Sequence, residues 1–253
     1  MNAMERSVRR VRHELKRRLL EVRQVERITP GFVRITLGGE DLAGYVSDGY
    51  DDHSKLFFPA PGADRPDIEG SPVMRDYTPR RHDAAAGELV FEIALHGDGP
   101  AAEWAAQAKV GQFLGVGGPR GSFVVEGDFD WYLLVGDESA LPAIARRLEE
   151  LPASAKAVVV VEIADKAEER ELTAPEDTTV YWVHRDAGQA LLEAVQSLDF
   201  PPGEPYAFVA CEGNLAKEIR QHLLEVRGLD KRWVKAAGYW RKGAVAVHEN
   251  FND

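Results

Sequence analysis

Apolar and polar residues follow different periods in the two halves of the chain. Between Arg18 and Leu37 they alternate around the punctuation Thr29-Pro30-Gly31, which predicts two strands joined by a turn, the second closed by Gly38-Gly39. Further short strands are predicted over His53–Phe58, Met74–Thr78, Glu88–Leu95 and Val110–Val116, with the cleanest alternation in GELVFEIAL. Several short strands separated by Gly and Pro, with almost no helical period, imply a small antiparallel barrel. Inside this half, Gly99–Lys109 carries Pro100 near its start and is rich in Ala, so it predicts one short helix.

Beyond the barrel the period changes to strand, helix, strand. Strands are predicted over Trp131–Val135, Ala157–Ile163, Thr179–Val183, Tyr206–Ala210 and Val234–Tyr239, and helices over Ser139–Leu151, Gln189–Leu198 and Asn214–Val226. That alternation is the mark of a parallel sheet in an α/β domain. The expected organisation is therefore an exposed basic arm (1–17), an antiparallel β-barrel domain (18–127) and a parallel α/β domain with its C-terminal tail (128–253).

Composition narrows the possibilities. A chain of 253 residues with 44% hydrophobic content can bury the cores of two domains of ordinary size. The longest apolar candidate, Ala157 to Val161, has only a strand's length, so no membrane insertion is expected. The start, Met1 to Arg23, is basic but lacks the continuous apolar core of a secretory signal. A net charge of -11 argues against general nucleic-acid binding, which needs a basic surface. The single cysteine, Cys211, excludes an internal disulfide and a multi-cysteine metal site, and the cytoplasm is the expected compartment.

The densest chemistry lies in Arg75-Asp76-Tyr77-Thr78-Pro79-Arg80-Arg81. In an extended segment Arg75 and Tyr77 project to the same side, and Pro79 keeps Thr78 extended. A guanidinium for phosphate, a phenol ring for a planar heterocycle and a hydroxyl for its edge then share one wall. The same residues also fit a solvated strand end with ordinary surface charge. The N-terminus of the predicted short helix, beside His96-Gly97-Asp98-Gly99, offers backbone N–H groups to an anion or is simply a capped turn. In Gly117-Gly118-Pro119-Arg120-Gly121-Ser122-Phe123 glycines allow close backbone approach, and Ser122 carries a donor. The turn Gly136-Asp137-Glu138-Ser139 stands where a doubly wound domain presents its phosphate loop, yet GxGxxG is absent. Two carboxylates there either repel a pyrophosphate or cap the helix.

RDYTPRR is similar to the Arg-x-Tyr-Thr/Ser element of ferredoxin-reductase-like flavoproteins, and in the form RxYTxR it resembles the siderophore-interacting, ferric-siderophore reductase family. Asp52-His53-Ser54-Lys55-Leu56-Phe57, then His96-Gly97-Asp98-Gly99-Pro100 followed by Trp104, then Gly118-Pro119-Arg120-Gly121-Ser122-Phe123, Gly136-Asp137-Glu138-Ser139-Ala140-Leu141-Pro142 and Gly238-Tyr239-Trp240-Arg241 resemble that family in order and spacing. The resemblance implies an FAD held by the barrel, with Arg75, Asp76, Tyr77, Thr78, Arg80, His96, Gly97, Gly99, Pro100, Trp104, Gly118, Arg120, Gly121, Ser122 and Trp240 as cofactor-binding residues. It also implies a cationic rim of Lys55, Arg241 and Lys242, with His53 near flavin or substrate. The implied activity is reduction of a ferric siderophore by outer-sphere electron transfer, which demands no catalytic side chain and no protein ligand to the iron. Electrons come from NAD(P)H or reduced ferredoxin. Two alternatives remain open: a carrier of siderophore or flavin without turnover, and a reductase component serving a protein partner.

Overall fold

The computed structural model describes residues 5–60, 62–63, 65–70, 73–95, 99–243 and 249–251. The chain divides into two compact units, Ser7–Glu126 and Gly127–Asp253 with the first six residues.

The first unit holds strands β1 (Ser7–Arg12), β2 (Arg17–Thr29), β3 (Phe32–Gly38), β4 (Ser54–Phe58), β5 (Val73–Tyr77), β6 (Pro79–Asp83), β7 (Glu88–Ala94), β8 (Phe113–Gly117) and β9 (Gly121–Glu126), and one helix, α1 (Pro100–Ala106). Seven strands form an antiparallel sheet in the order β5-β4-β8-β2-β3-β7-β6, and β1 pairs separately with β9. The two edge strands, β5 and β6, are consecutive in the chain and separated only by Thr78. In a flat sheet six gaps of about 4.8 Å would hold those edges about 29 Å apart. One residue spans at most about 3.6 Å, so the sheet curls into a barrel and its edges meet at Thr78.

Leu20, Val22, Ile35, Leu37, Leu56, Leu89, Phe91, Ile93, Leu114 and Val116 fill the interior, with Trp104 of α1 packed among them. Glu92 interrupts the apolar run of β7 and is nonetheless only 2% exposed. Its carboxylate is compensated by Arg34 at 2.8 Å and Arg80 at 3.4 Å, as burial of a charge requires.

Two expectations are corrected here. Residues 7–12, read as part of an exposed arm, form β1 and run antiparallel to β9 from Ser7↔Glu126 to Arg12↔Gly121. The bend expected over 117–123 continues into β9, a strand hidden from pattern reading because its partner is the distant N-terminal segment rather than a neighbouring hairpin.

The second unit holds β10 (Trp131–Gly136), α2 (Leu141–Glu150), β11 (Lys156–Ile163), β12 (Asp177–His184), α3 (Leu191–Gln196), β13 (Pro205–Glu212), α4 (Gly213–Gln221), β14 (Val234–Trp240) and the short β15 (Glu249–Asn250). The sheet order is β12-β11-β10-β13-β14-β15, parallel except for the last pair. β10, β11 and β13 are almost wholly buried, which explains their unbroken apolar runs. The helices are shorter than their patterns suggested, and the end of α4 relaxes into a π-helical turn over His222–Val226. Among the described residues no helix is long and apolar enough to cross a membrane.

Candidate functional site

In the barrel unit the motif residues converge where the two sheet edges meet. Antiparallel register aligns Lys55 with Asp76, Leu56 with Arg75 and Ser54 with Tyr77 across β4 and β5, and Lys55 with Gly117 across β4 and β8. Lys55 Nζ contacts both Asp76 carboxylate oxygens, at 2.9 and 3.0 Å. A residue expected to meet substrate and one expected to meet cofactor are thus an ion pair. His53 and Lys55 lie on the exposed face of this strand, while Ser54 and Leu56 point inward.

Tyr77 is half-buried and packs against the barrel core. Burial pushes its hydroxyl up to about 12, and the Arg75 guanidinium nearby opposes that shift. The phenol is therefore a neutral ring beside a cation at neutral pH. Arg75 donates from Nη1 to the Met74 carbonyl oxygen at 2.7 Å, which occupies one of its five N–H donors. Thr78 is buried at the junction itself. The donor set fits a flavin nucleotide: a guanidinium for phosphate, an aromatic wall for the ring, and a threonine hydroxyl at the strand end.

Other expected cofactor residues sit in different settings. Arg80 is held by Glu92 on the next strand, and Trp104 lies in the barrel core, edge-on to Phe58 at 5.8 Å. Gly99 is the N-cap of α1 and Pro100 its first residue, with the Gly99 carbonyl accepting from Glu103 at 2.9 Å. His96 and Gly97 lie outside the described residues. Arg120 is exposed, and its carbonyl accepts from the His13 backbone N–H at 3.0 Å. Gly118 has φ +81, a left-handed conformation natural to glycine. At Gly121 a Cβ would lie 2.3 Å from the Val11 carbonyl oxygen, so this glycine lets β1 cross β9 closely.

Ser122 has a packing task that the sequence did not disclose. Its hydroxyl donates to Asp52 Oδ2 at 2.6 Å while accepting from Asp48 N–H at 3.0 Å, and His13 Nε2 lies 2.7 Å away. The one hydroxyl proton is spent on Asp52, so His13 is the donor of its own contact. Asp52 also accepts from Ser47 Oγ and Gly49 N–H. Burial raises the Asp52 pKa, and these hydrogen bonds, Ser122 foremost, hold it back. His13 and Asp52 went unassigned because their partners are 109 and 70 residues from them in sequence.

In the α/β unit, the carboxyl ends of β10, β11, β12, β13 and β14 gather a second set of polar groups. Asp137 is buried. Its Oδ1 accepts from Ser139 N–H at 2.9 Å, and its Oδ2 from Trp240 Nε1 at 2.8 Å. Burial raises its pKa despite those donors. Glu138 is also buried and bonds Arg185 at 2.6 Å; Arg185 in turn reaches Glu162 at 3.0 Å. Partial burial works against the Arg185 charge, yet the hydrogen bonds and ion pairs to these two carboxylates hold its pKa above the ordinary value. The repulsion expected from the Asp137-Glu138 turn is thus blunted, since both carboxylates are turned inward and partnered. Neither caps α2, whose N-cap is Ala140 without a side-chain bond.

Trp240 keeps its ring 42% exposed while its N–H is anchored. Arg241 pairs with Glu249 at 3.1 Å, and the Lys242 side chain is exposed. Glu162 and Arg185 were missed in the sequence. Glu162 had a signal, as the lone acid within the apolar run AVVVVEI; Arg185 had none.

Two family models match consecutive stretches of the chain: the siderophore-interacting FAD-binding domain over residues 21–123 and the siderophore-interacting protein model over 129–243. The chain is 39% identical to the NADPH-dependent ferric-chelate reductase of Escherichia coli, over 95% of this chain and 99% of that one. It is 34% identical to the ferric vibriobactin reductase of Vibrio cholerae, over 92% and 93%. A siderophore utilization protein from T. fusca shares its structure with a TM-score of 0.86 and 44% identity, covering 96% of this chain and 98% of that one. With the curled antiparallel sheet carrying the FAD-binding match and the parallel sheet carrying the other, the chain belongs to the siderophore-interacting protein family, with a ferredoxin-reductase-like architecture and an FAD-binding barrel.

Proposed function

We propose that this protein is an FAD-dependent ferric-siderophore reductase, acting in the cytoplasm and drawing its electrons from NAD(P)H or reduced ferredoxin. The observation that carries it is the Arg75 guanidinium beside the half-buried Tyr77 ring at the end of β5, next to the junction of the two barrel edges at Thr78 and within the stretch matched by the FAD-binding model. The names of the Escherichia coli and Vibrio cholerae relatives support the reaction, and the first of them supports a nicotinamide donor.

A bound FAD would supply the redox chemistry, a two-electron acceptor for the donor and a one-electron donor for ferric iron. The rest falls to the chain. Arg75 neutralises phosphate charge, the neutral Tyr77 ring offers a flat face, and Thr78 contributes at the edge, with Asp76, Arg80, Gly99, Pro100, Trp104, Gly118, Arg120, Gly121 and Ser122 shaping the surroundings. In the barrel unit Lys55, with His53 next but one to it, supplies positive charge for an anionic chelate, and in the α/β unit the candidate cations for such a chelate are Arg241 and Lys242. Lys55 and Arg241 are each tethered by one carboxylate, so a chelate competes with Asp76 and Glu249 for them.

The purified protein is expected to be yellow and to release FAD on denaturation. After reduction by dithionite it should be reoxidised by a ferric siderophore, with iron(II) captured by a chromogenic chelator. If no ferric chelate reoxidises it, the reading fails. Replacing Arg75 or Tyr77 should empty the flavin site, whereas replacing Lys55 or Arg241 should leave flavin in place and weaken chelate binding. Equal flavin loss in all four would contradict the division.

A further inference from the structure

We propose that the nicotinamide donor of this chain is NADH in preference to NADPH, and that Glu162 decides it by accepting a hydrogen bond from the 2′-hydroxyl of the adenine ribose. This rests on the reductase reading above and narrows its donor. It departs from the donor named for the Escherichia coli relative.

The strand order places β11 and β12 on one side of β10, and β13 and β14 on the other. In such sheets a dinucleotide binds beyond the carboxyl ends of the strands where the order reverses, here β10 and β13. The residue that tells the two dinucleotides apart then stands at the end of the next strand outward. An acid there bonds the ribose hydroxyl, and an arginine accommodates the 2′-phosphate. That strand is β11, and Glu162 stands near its carboxyl end, registered with Val183 of β12.

Both kinds of residue are present, and their contacts decide between them. Arg185, directly after β12, gives Nε to Glu162 Oε1 at 3.0 Å and Nη2 to Glu138 Oε2 at 2.6 Å. The Glu162 and Glu138 side chains are 17% and 10% exposed, against 50% for Arg185. His184, the other basic group at this strand end, is engaged by Glu169 at 2.7 Å. The cluster of Glu138, Glu162 and Arg185 therefore carries a net charge of about -1, with the buried Asp137 adjoining it in sequence. A 2′-phosphate would have to pull Arg185 out of two ion pairs and leave two carboxylates facing a dianion. A 2′-hydroxyl disturbs nothing, because Arg185 bonds Oε1 of Glu162 and the carboxylate has a second oxygen to offer.

The test compares ADP-ribose with 2′-phospho-ADP-ribose by calorimetry on the whole purified protein, alongside anaerobic flavin bleaching by NADH and NADPH. Wild type is expected to bind ADP-ribose at least 10-fold more tightly and to bleach faster with sub-saturating NADH. Glu162→Ser, which releases Arg185 from one carboxylate, should move both ratios toward the phosphorylated ligand by 10-fold or more, and adding Arg185→Ala should cancel that gain. Should Glu162→Ser fold poorly, Glu162→Gln makes the same comparison. Preference of wild type for the 2′-phosphate, an unchanged ratio in the Glu162 variants, or no binding of either dinucleotide would each overturn the proposal. Reoxidation of dithionite-reduced wild type by a ferric siderophore is read separately, so the reductase reading can survive the loss of this one.

Discussion

Replacing Ser122 with Ala should destabilise the barrel in a manner that depends on pH. The wild-type hydroxyl is 4% exposed and has three partners within 3.0 Å: Asp52, His13 and the Asp48 N–H. Its removal deletes a hydrogen bond to a buried carboxylate, worth about 1.5–3 kcal/mol, and leaves the Asp48 N–H without its acceptor. A loss of about 2–4 kcal/mol is expected near neutral pH. Asp52 has a raised folded-state pKa because burial disfavours its charge, and the Ser122 hydrogen bond is the foremost interaction opposing that rise. A carboxyl group raised in this way contributes stability that is fully present below its unfolded pKa and is lost as pH climbs through the folded one. Without Ser122 the folded pKa climbs further. The penalty of Ser122→Ala is therefore largest at neutral pH and shrinks as pH falls and Asp52 takes up its proton. Urea unfolding at pH 7.5 and at acid pH, with amide exchange across β1 and β9 as the local probe, reads this directly. A penalty under about 0.5 kcal/mol, or one that does not change with pH, would refute the assignment of Asp52 as a buried, hydroxyl-supported carboxylate.

Glu92→Gln should cost about 3 kcal/mol in urea unfolding, because a carboxylate that is buried between Arg34 at 2.8 Å and the 11% exposed Arg80 at 3.4 Å becomes a neutral amide. An effect below 1 kcal/mol would show that the Glu92 charge contributes little to holding Arg34 and Arg80. The Cys211 thiol is fully buried, and burial pushes its pKa up, with Asp137, Glu212 and Glu162 adding to the shift. A disulfide reagent at pH 8 should therefore label no thiol in the folded protein and one per chain in denaturant; rapid labelling of the native form would contradict that burial.

The change from an antiparallel sheet in the first half to a parallel α/β sheet in the second was legible in the residues alone, because period reports burial. Alternation in Leu20-Glu21-Val22-Arg23 belongs to a strand that buries Leu20 and Val22 and leaves Glu21 and Arg23 less buried, and unbroken runs such as Ala157 to Val161 belong to a parallel sheet covered on both sides. The extended conformation of RDYTPRR was legible too, and the structure places it on β5 and β6. Pattern could not show that Thr78 is the point where the barrel edges meet, or that Lys55 and Asp76 neutralise each other, because both follow from strand order across the whole sheet. Likewise, His13, Ser122 and Asp52 become one hydrogen-bonded chain, and Glu138, Glu162 and Arg185 one charge cluster, only after folding brings distant segments together. Local propensity and hydrophobic period are written into consecutive residues; which polar groups satisfy one another once buried is decided by tertiary packing.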